Sequence, residues 1–184
     1  AFIDRNNMWP PPDAASDLVK IGDLVRIKLD EKGNWELGQV PEVQGALVSM
    51  SPKNGAILAL VGGYDFRRSQ VNRVTTPRPP GSNFKPFLYG AALENGYSAA
   101  SVINDAPITR GSYRPNNYEN NFLGPITLRY ALKESRNVPA VRLYDLIGSA
   151  KVLEFASKFG FQTQNFPTND LTVALGSQDV QPLE

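Results

Sequence analysis

A hydroxyl and an amine lie three residues apart in Arg78-Pro79-Pro80-Gly81-Ser82-Asn83-Phe84-Lys85-Pro86-Phe87. The two prolines and the glycine break the chain ahead of an apparent helix start. Residues i and i+3 of a helix share a face, so Lys85 projects beside Ser82. An amine that gives up its proton there is a base able to activate the serine for nucleophilic attack. The partial positive charge at the helix N-terminus stabilises a developing alkoxide and favours neutral lysine over ammonium. Pro86 suits the first turn, where a missing N–H costs little. The bare spacing is a weak signal, arising by chance about once in a couple of hundred residues. On the spacing alone, a capping serine and a solvated lysine are the better explanation; the flanking text and a second motif raise the signal. A second stretch, Ser135-Arg136-Asn137, falls in a tight loop between two short helical patterns, where side chains can face a cleft.

Composition narrows the chemistry by exclusion. The 184 residues contain 0 His and 0 Cys, so a Ser-His-Asp triad, a Cys-His pair and a zinc site of His or Cys ligands are all ruled out within this chain. A base for Ser82 must be Lys, Tyr, Asp or Glu. A net charge of +1 argues against a dedicated nucleic-acid surface. The absence of Cys fits an oxidising or a reducing compartment alike. No apolar run has the length of a membrane span and no signal peptide is visible. The 41% hydrophobic content is enough to bury a core.

Several elements must position these groups. Residues 1–17, with Pro10-Pro11-Pro12, read as a stiff arm on which Trp9 could dock to a neighbour. Val25, Ile27 and Leu29 alternate with Arg26, Lys28 and Asp30, which predicts a strand. Glu31-Lys32-Gly33-Asn34 is a turn, and Trp35 to Val40 is the returning strand. Residues 44–63 predict a second hairpin around Ser51-Pro52-Lys53-Asn54-Gly55. Its second strand, Ala56 to Val61, is apolar on both faces, which predicts cover on both sides. Residues 64–81 form a polar loop with Arg67, Arg68, Arg73 and Arg78, either a solvated connection or an anion-attracting surface.

The reactive helix runs from Ser82 to about Asn95-Gly96, with Phe87, Leu88, Ala91, Ala92 and Leu93 as its apolar face. Residues 97–124 read as mostly irregular. Three short helices follow: one from Pro125 to about Glu134, one from Pro139 to Gly148, and one capped by Ser149 and ended by Gly160.

Ser82-x-x-Lys85 followed by Ser135-x-Asn137 is the ordered motif pair of the penicillin-recognising serine enzymes. The wider text resembles the transpeptidase domain of class A, bifunctional penicillin-binding proteins. The matching segments are Gln44-Gly45-Ala46-Leu47-Val48, Ala59-Leu60-Val61-Gly62-Gly63-Tyr64-Asp65-Phe66, Pro80 to Phe87, Asn104-Asp105-Ala106-Pro107-Ile108, Ser135-Arg136-Asn137-Val138 and Ala174-Leu175-Gly176-Ser177. The resemblance covers about residue 44 to the end. It implies an α+β fold: an antiparallel sheet packed with helices and a helical subdomain, of which 44–184 is the N-terminal portion. Residues 1–43 resemble part of the small OB-like all-β module that some members carry.

The resemblance also implies roles. Ser82 attacks the penultimate D-alanine carbonyl of a peptidoglycan stem peptide, and Lys85 takes its proton. Ser135 relays a proton to the leaving amine, and Asn137 hydrogen-bonds the acyl chain. A β-lactam mimics the D-Ala-D-Ala end and blocks Ser82. The implied partners are stem peptides, lipid-linked glycan strands and β-lactam antibiotics, with no nucleic acid, no metal and no cofactor. The implied location is the periplasmic face of the bacterial inner membrane, on a parent chain with a membrane anchor and an upstream glycosyltransferase domain.

One motif departs from the family. Its third signature, Lys-Thr/Ser-Gly, has only two decoys here: Lys53-Asn54-Gly55 in a hairpin turn and Lys158-Phe159-Gly160 at a helix end. The chain therefore reads as a fragment of a larger polypeptide. A β-lactamase or β-lactam sensor of the same superfamily, or a non-catalytic structural fragment, are the alternative readings.

Overall fold

The computed structural model describes residues 14–38, 41 and 43–184; the triproline arm and Trp9 lie outside the described residues. The chain divides into two units, Ala1–Gln44 and Gly45–Glu184.

In the first unit, β1 (Arg26–Leu29) pairs antiparallel with β2 (Trp35–Gly38), Arg26 opposite Gly38 and Leu29 opposite Trp35. Asp30 builds the turn: its Oδ1 accepts from the backbone N–H of Lys32 at 2.9 Å and of Asn34 at 2.7 Å. Gly33 takes φ +82°, the left-handed conformation that a glycine adopts without penalty. The period-2 pattern therefore gives strands as read, with Ile27 and Leu29 exposed. Gln39 and Val40, expected to extend β2, are outside the described residues.

The second unit opens on the hairpin of β3 (Leu47–Met50) and β4 (Ile57–Val61). Its turn closes through Ser51 N–H to Ala56 O at 2.8 Å and Gly55 N–H to Ser51 O at 2.9 Å. The expected cover on both faces of β4 is not present among the described residues: all five of its residues are exposed. Leu58 and Leu60 are 69% and 40% exposed. Three arginines of the next loop have local partners: Arg67 pairs with Asp65, Arg73 reaches Val71 O and Ser69 Oγ, and Arg78 Nη1 donates to Pro77 O at 2.8 Å, while the Arg78 backbone bridges both ways to Val180. That pattern fits the solvated connection.

A 3-10 turn, Gly81–Phe84, leads into α1 (Lys85–Glu94), and α1 is the centre of the core. It carries Leu88, Tyr89, Ala91 and Ala92 fully or nearly buried, whereas Leu93, expected on the apolar face, is 55% exposed. Around it pack α2 (Leu128–Lys133), α3 (Asn137–Ile147), α4 (Ser149–Ser157) and a 3-10 turn at Leu171–Leu175. Gly90 lets α4 approach: a Cβ there would meet the Phe155 ring at 2.5 and 2.6 Å. Phe84, Phe87, Phe161 and Phe166 cluster at the N-terminal end of α1 in edge-on contacts.

Three expectations need correction. Residues 97–124 are not simply irregular: β5 (Val102–Asp105) pairs antiparallel with β6 (Gly124–Thr127). Pro125 sits in β6 and not at a helix start. The helix begins three residues later because Thr127 is its cap, its hydroxyl accepting from Tyr130 N–H at 3.2 Å. Likewise Gly148, at φ +88°, is both the C-cap of α3 and the N-cap of α4, so Ser149 is the first helical residue and not the cap. Gly160, at φ +101°, lies two residues past the Lys158 cap of α4.

Candidate active site

Ser82 sits in the 3-10 turn and Lys85 is the first residue of α1. In a 3-10 turn residues i and i+3 eclipse, so the two side chains leave the backbone on one side. The link is also a backbone one, Lys85 N–H donating to Ser82 O. Ser82 is exposed. Lys85 is the reverse, a lysine only 1% exposed.

Burial of an ammonium requires compensation. Lys85 Nζ donates to Ser135 O at 2.6 Å, to Asn137 Oδ1 at 2.7 Å and to Ser135 Oγ at 3.1 Å. These three bonds use all three ammonium donors. The structure thus brings Lys85, Ser135 and Asn137 together across 50 residues of chain. The bonds of the Lys85 side chain go to that loop, and none goes to the Ser82 hydroxyl among the described residues. Burial pulls the Lys85 pKa down to about 8, with the Glu119 carboxylate acting in the opposite direction. At pH 7 about one lysine in ten is then neutral. Such an amine has a lone pair in place of one donor, free to turn to a neighbouring hydroxyl.

The loop that holds Lys85 has its own supports. α2 ends with Ser135 N–H to Leu132 O and Arg136 N–H to Ala131 O, both 2.9 Å. That doubled closure needs a left-handed residue, and Ser135 supplies it at φ +50°. The N-terminus of α3 is capped from a distance, since Arg136 makes no side-chain cap. Asn117 Oδ1 instead accepts from the N–H groups of Asn137 at 2.9 Å and Val138 at 3.1 Å. Asn137 Nδ2 donates to Asn116 O at 3.2 Å, which turns its Oδ1 to Lys85.

Beneath them lies a group that sequence reasoning missed. Asp105 is fully buried at the end of β5 and accepts from Arg136 Nε at 2.9 Å and Asn117 Nδ2 at 2.7 Å. The available signal was Arg136 itself, a cation between two motif residues beside an apolar helix. A guanidinium there needs a carboxylate partner.

On the other side of Ser82, Gly81 N–H donates to Gly176 O at 3.0 Å. Gly176 is left-handed at φ +72°, and a Cβ on it would collide with the Gly81 carbonyl. The turn carrying Ser82 is therefore backed directly by backbone.

Comparison with known proteins bears on this arrangement. Residues 45–172 match the family described as penicillin binding protein transpeptidase domain. The chain belongs to the penicillin-binding protein transpeptidase family. Residues 1–43 match the penicillin-binding protein OB-like domain.

Among curated relatives, penicillin-binding protein 1A of Pseudomonas aeruginosa is 44% identical over 100% of this chain and 23% of that protein. Penicillin-binding protein 1A of Escherichia coli is 41% identical over 95% of this chain and 21% of that protein. The crystal structure of penicillin-binding protein 1A from Haemophilus influenzae superposes with a TM-score of 0.79 at 37% identity, over 89% of this chain and 25% of that one. The chain thus spans about a quarter or less of these three relatives. Its fold is the α+β transpeptidase fold of this family.

Proposed function

We propose that this segment carries the nucleophile of a serine D,D-transpeptidase that cross-links peptidoglycan. The observation that carries the reading is Lys85: a buried lysine beside an exposed serine, its amine held by Ser135 and Asn137. Residues 44–184 are the N-terminal portion of the transpeptidase domain, and residues 1–43 are part of an OB-like module.

In this reading neutral Lys85 accepts the Ser82 proton as Oγ bonds to the carbonyl carbon of the penultimate D-alanine. The C–N bond to the terminal D-alanine breaks, and the departing amine takes a proton relayed through Ser135. The Asn137 amide orients the acyl chain. An amine of a second stem peptide then attacks the ester, loses a proton to the same relay and restores Ser82. Water in its place would give carboxypeptidase activity. A β-lactam enters at the first step: Ser82 Oγ bonds to the ring carbonyl, the ring C–N bond opens, and the enzyme stays acylated. The parent polypeptide works at the extracytoplasmic face of the inner membrane, anchored there and joined to a glycosyltransferase domain that supplies glycan strands.

The test is mass spectrometry after β-lactam treatment of the full-length polypeptide carrying this segment. The adduct falls on the peptide containing Ser82 and is lost in Ser82→Ala. An adduct on Ser135, or one undiminished in Ser82→Ala, overturns the assignment.

A further inference from the structure

We propose that Arg136 is a positioning residue for this site: clamped by Asp105 and Glu119, its guanidinium locks the left-handed turn at Ser135 and so aims the Ser135 and Asn137 acceptors at Lys85. The inference rests on the preceding reading of Ser82 and Lys85.

The backbone carries the first part. A non-glycine residue at φ +50° is strained, and such strain persists only where the surroundings over-determine it. Ser135 must hold that conformation, because its own carbonyl and hydroxyl both accept from Lys85. The next residue supplies the restraint. Arg136 is 5% exposed, and every edge of its fork is occupied. Nε donates to Asp105 Oδ2 at 2.9 Å, and Nη2 lies 2.7 Å from the same oxygen. Nη1 donates to Glu119 Oε2 at 3.0 Å. Nη2 also donates to Asn121 O at 2.6 Å and Asn121 Oδ1 at 2.8 Å. Asp105 in turn holds Asn117, which caps α3 at Asn137. The clamp therefore grips the loop on both sides of Arg136.

Stability alone does not explain the choice of residues. A buried ion pair is seldom better for stability than well-packed apolar side chains of the same size. Here it sits between the two side chains that hold the amine. Lysine cannot substitute, since a single ammonium cannot span Asp105, Glu119 and Asn121 as a planar fork does.

One carboxylate of the clamp also acts on the charge of Lys85: Glu119, bound to Arg136 Nη1 at 3.0 Å, favours the protonated amine against the pull of burial.

The experiment uses the full-length polypeptide with Arg136→Lys and Glu119→Gln. Acylation by a fluorescent penicillin is followed by stopped flow from pH 6 to 10, with Tm and end-point labelling to count competent sites. Arg136→Lys is expected to lower the maximal acylation rate constant per competent site at least tenfold. The half-saturating penicillin concentration should change less than threefold. Glu119→Gln keeps an acceptor for Nη1 and removes the charge, so its acid limb moves to lower pH with a smaller loss of rate. A folded Arg136→Lys whose rate and pH profile superimpose on the parent overturns the proposal. If Arg136→Lys does not fold, a maximal acylation rate constant per competent site undiminished in Glu119→Gln, where the hold on Nη1 loses its charge, overturns it. Ser82→Ala separates the two readings: label persisting there refutes the assignment of Ser82. Label lost there beside an unaltered Arg136→Lys refutes the clamp alone.

Discussion

Lys85 shows how burial and hydrogen bonding pull one side chain in two directions. Desolvation drives its proton off, while three acceptors from Ser135 and Asn137 keep the ammonium tolerable. The result is an amine that titrates near neutrality, which is what a general base needs. Arginine keeps the charge but does not deprotonate. Lys85→Arg is therefore expected to be as damaging as Lys85→Ala, each lowering the second-order rate of penicillin acylation by at least a hundredfold. The check is to measure both variants side by side. Near-native acylation by the arginine variant would mean that Lys85 acts only through its charge.

At the scale of elements, the Ser82 turn is fixed by a close backbone crossing. Gly176→Ala must relieve a left-handed backbone worth about 1–2 kcal/mol and also a collision with the Gly81 carbonyl. It is expected to destabilise the domain by at least that amount and to slow labelling of Ser82 together. Urea unfolding and penicillin labelling on the same sample test this; unchanged stability with unchanged labelling would mean the crossing is slack.

Much of this scaffold was legible in the sequence. The two early hairpins were readable from strand alternation and turn residues, and the ends of α3 and α4 from Gly148 and Gly160. β5 and β6 were not, because proline near an apolar run resembles a helix start. Pro125 is tolerated instead on a strand of a two-stranded sheet, whose outer side needs no donor. The site divides the same way. Ser82, Lys85, Ser135 and Asn137 were singled out by two motifs in order with their flanking text, since the spacing of either motif alone is weak. Asp105, Asn117 and Glu119 did not, because their importance comes from contacts 12 to 31 residues away in sequence.

At the scale of the molecule, the helical half and the hairpin are unequal. The helices around α1 enclose a core from Phe84 to Val180, whereas β3 and β4 pair only with each other among the described residues. Leu58 and Leu60 lie exposed on β4, with backbone groups of both strands open at the outer edges. Open apolar edges recruit further strands. The 184-residue segment expressed alone is expected to self-associate at micromolar concentration. Leu58→Lys with Leu60→Lys should shift it toward monomer in sedimentation velocity. A monodisperse monomer from the unaltered segment would contradict this.

The central claim is that the buried amine of Lys85 takes the proton of Ser82, and the pH dependence of acylation tests it most directly. A lysine depressed to about 8 is mostly charged at pH 6 and mostly neutral at pH 9. The acylation rate constant of the full-length polypeptide should therefore rise about tenfold per pH unit below pH 7 and level off above pH 9, with a midpoint near 8. A rate that is flat from pH 6 to 9, or that falls across it, would show that deprotonation of Lys85 is not what activates the serine.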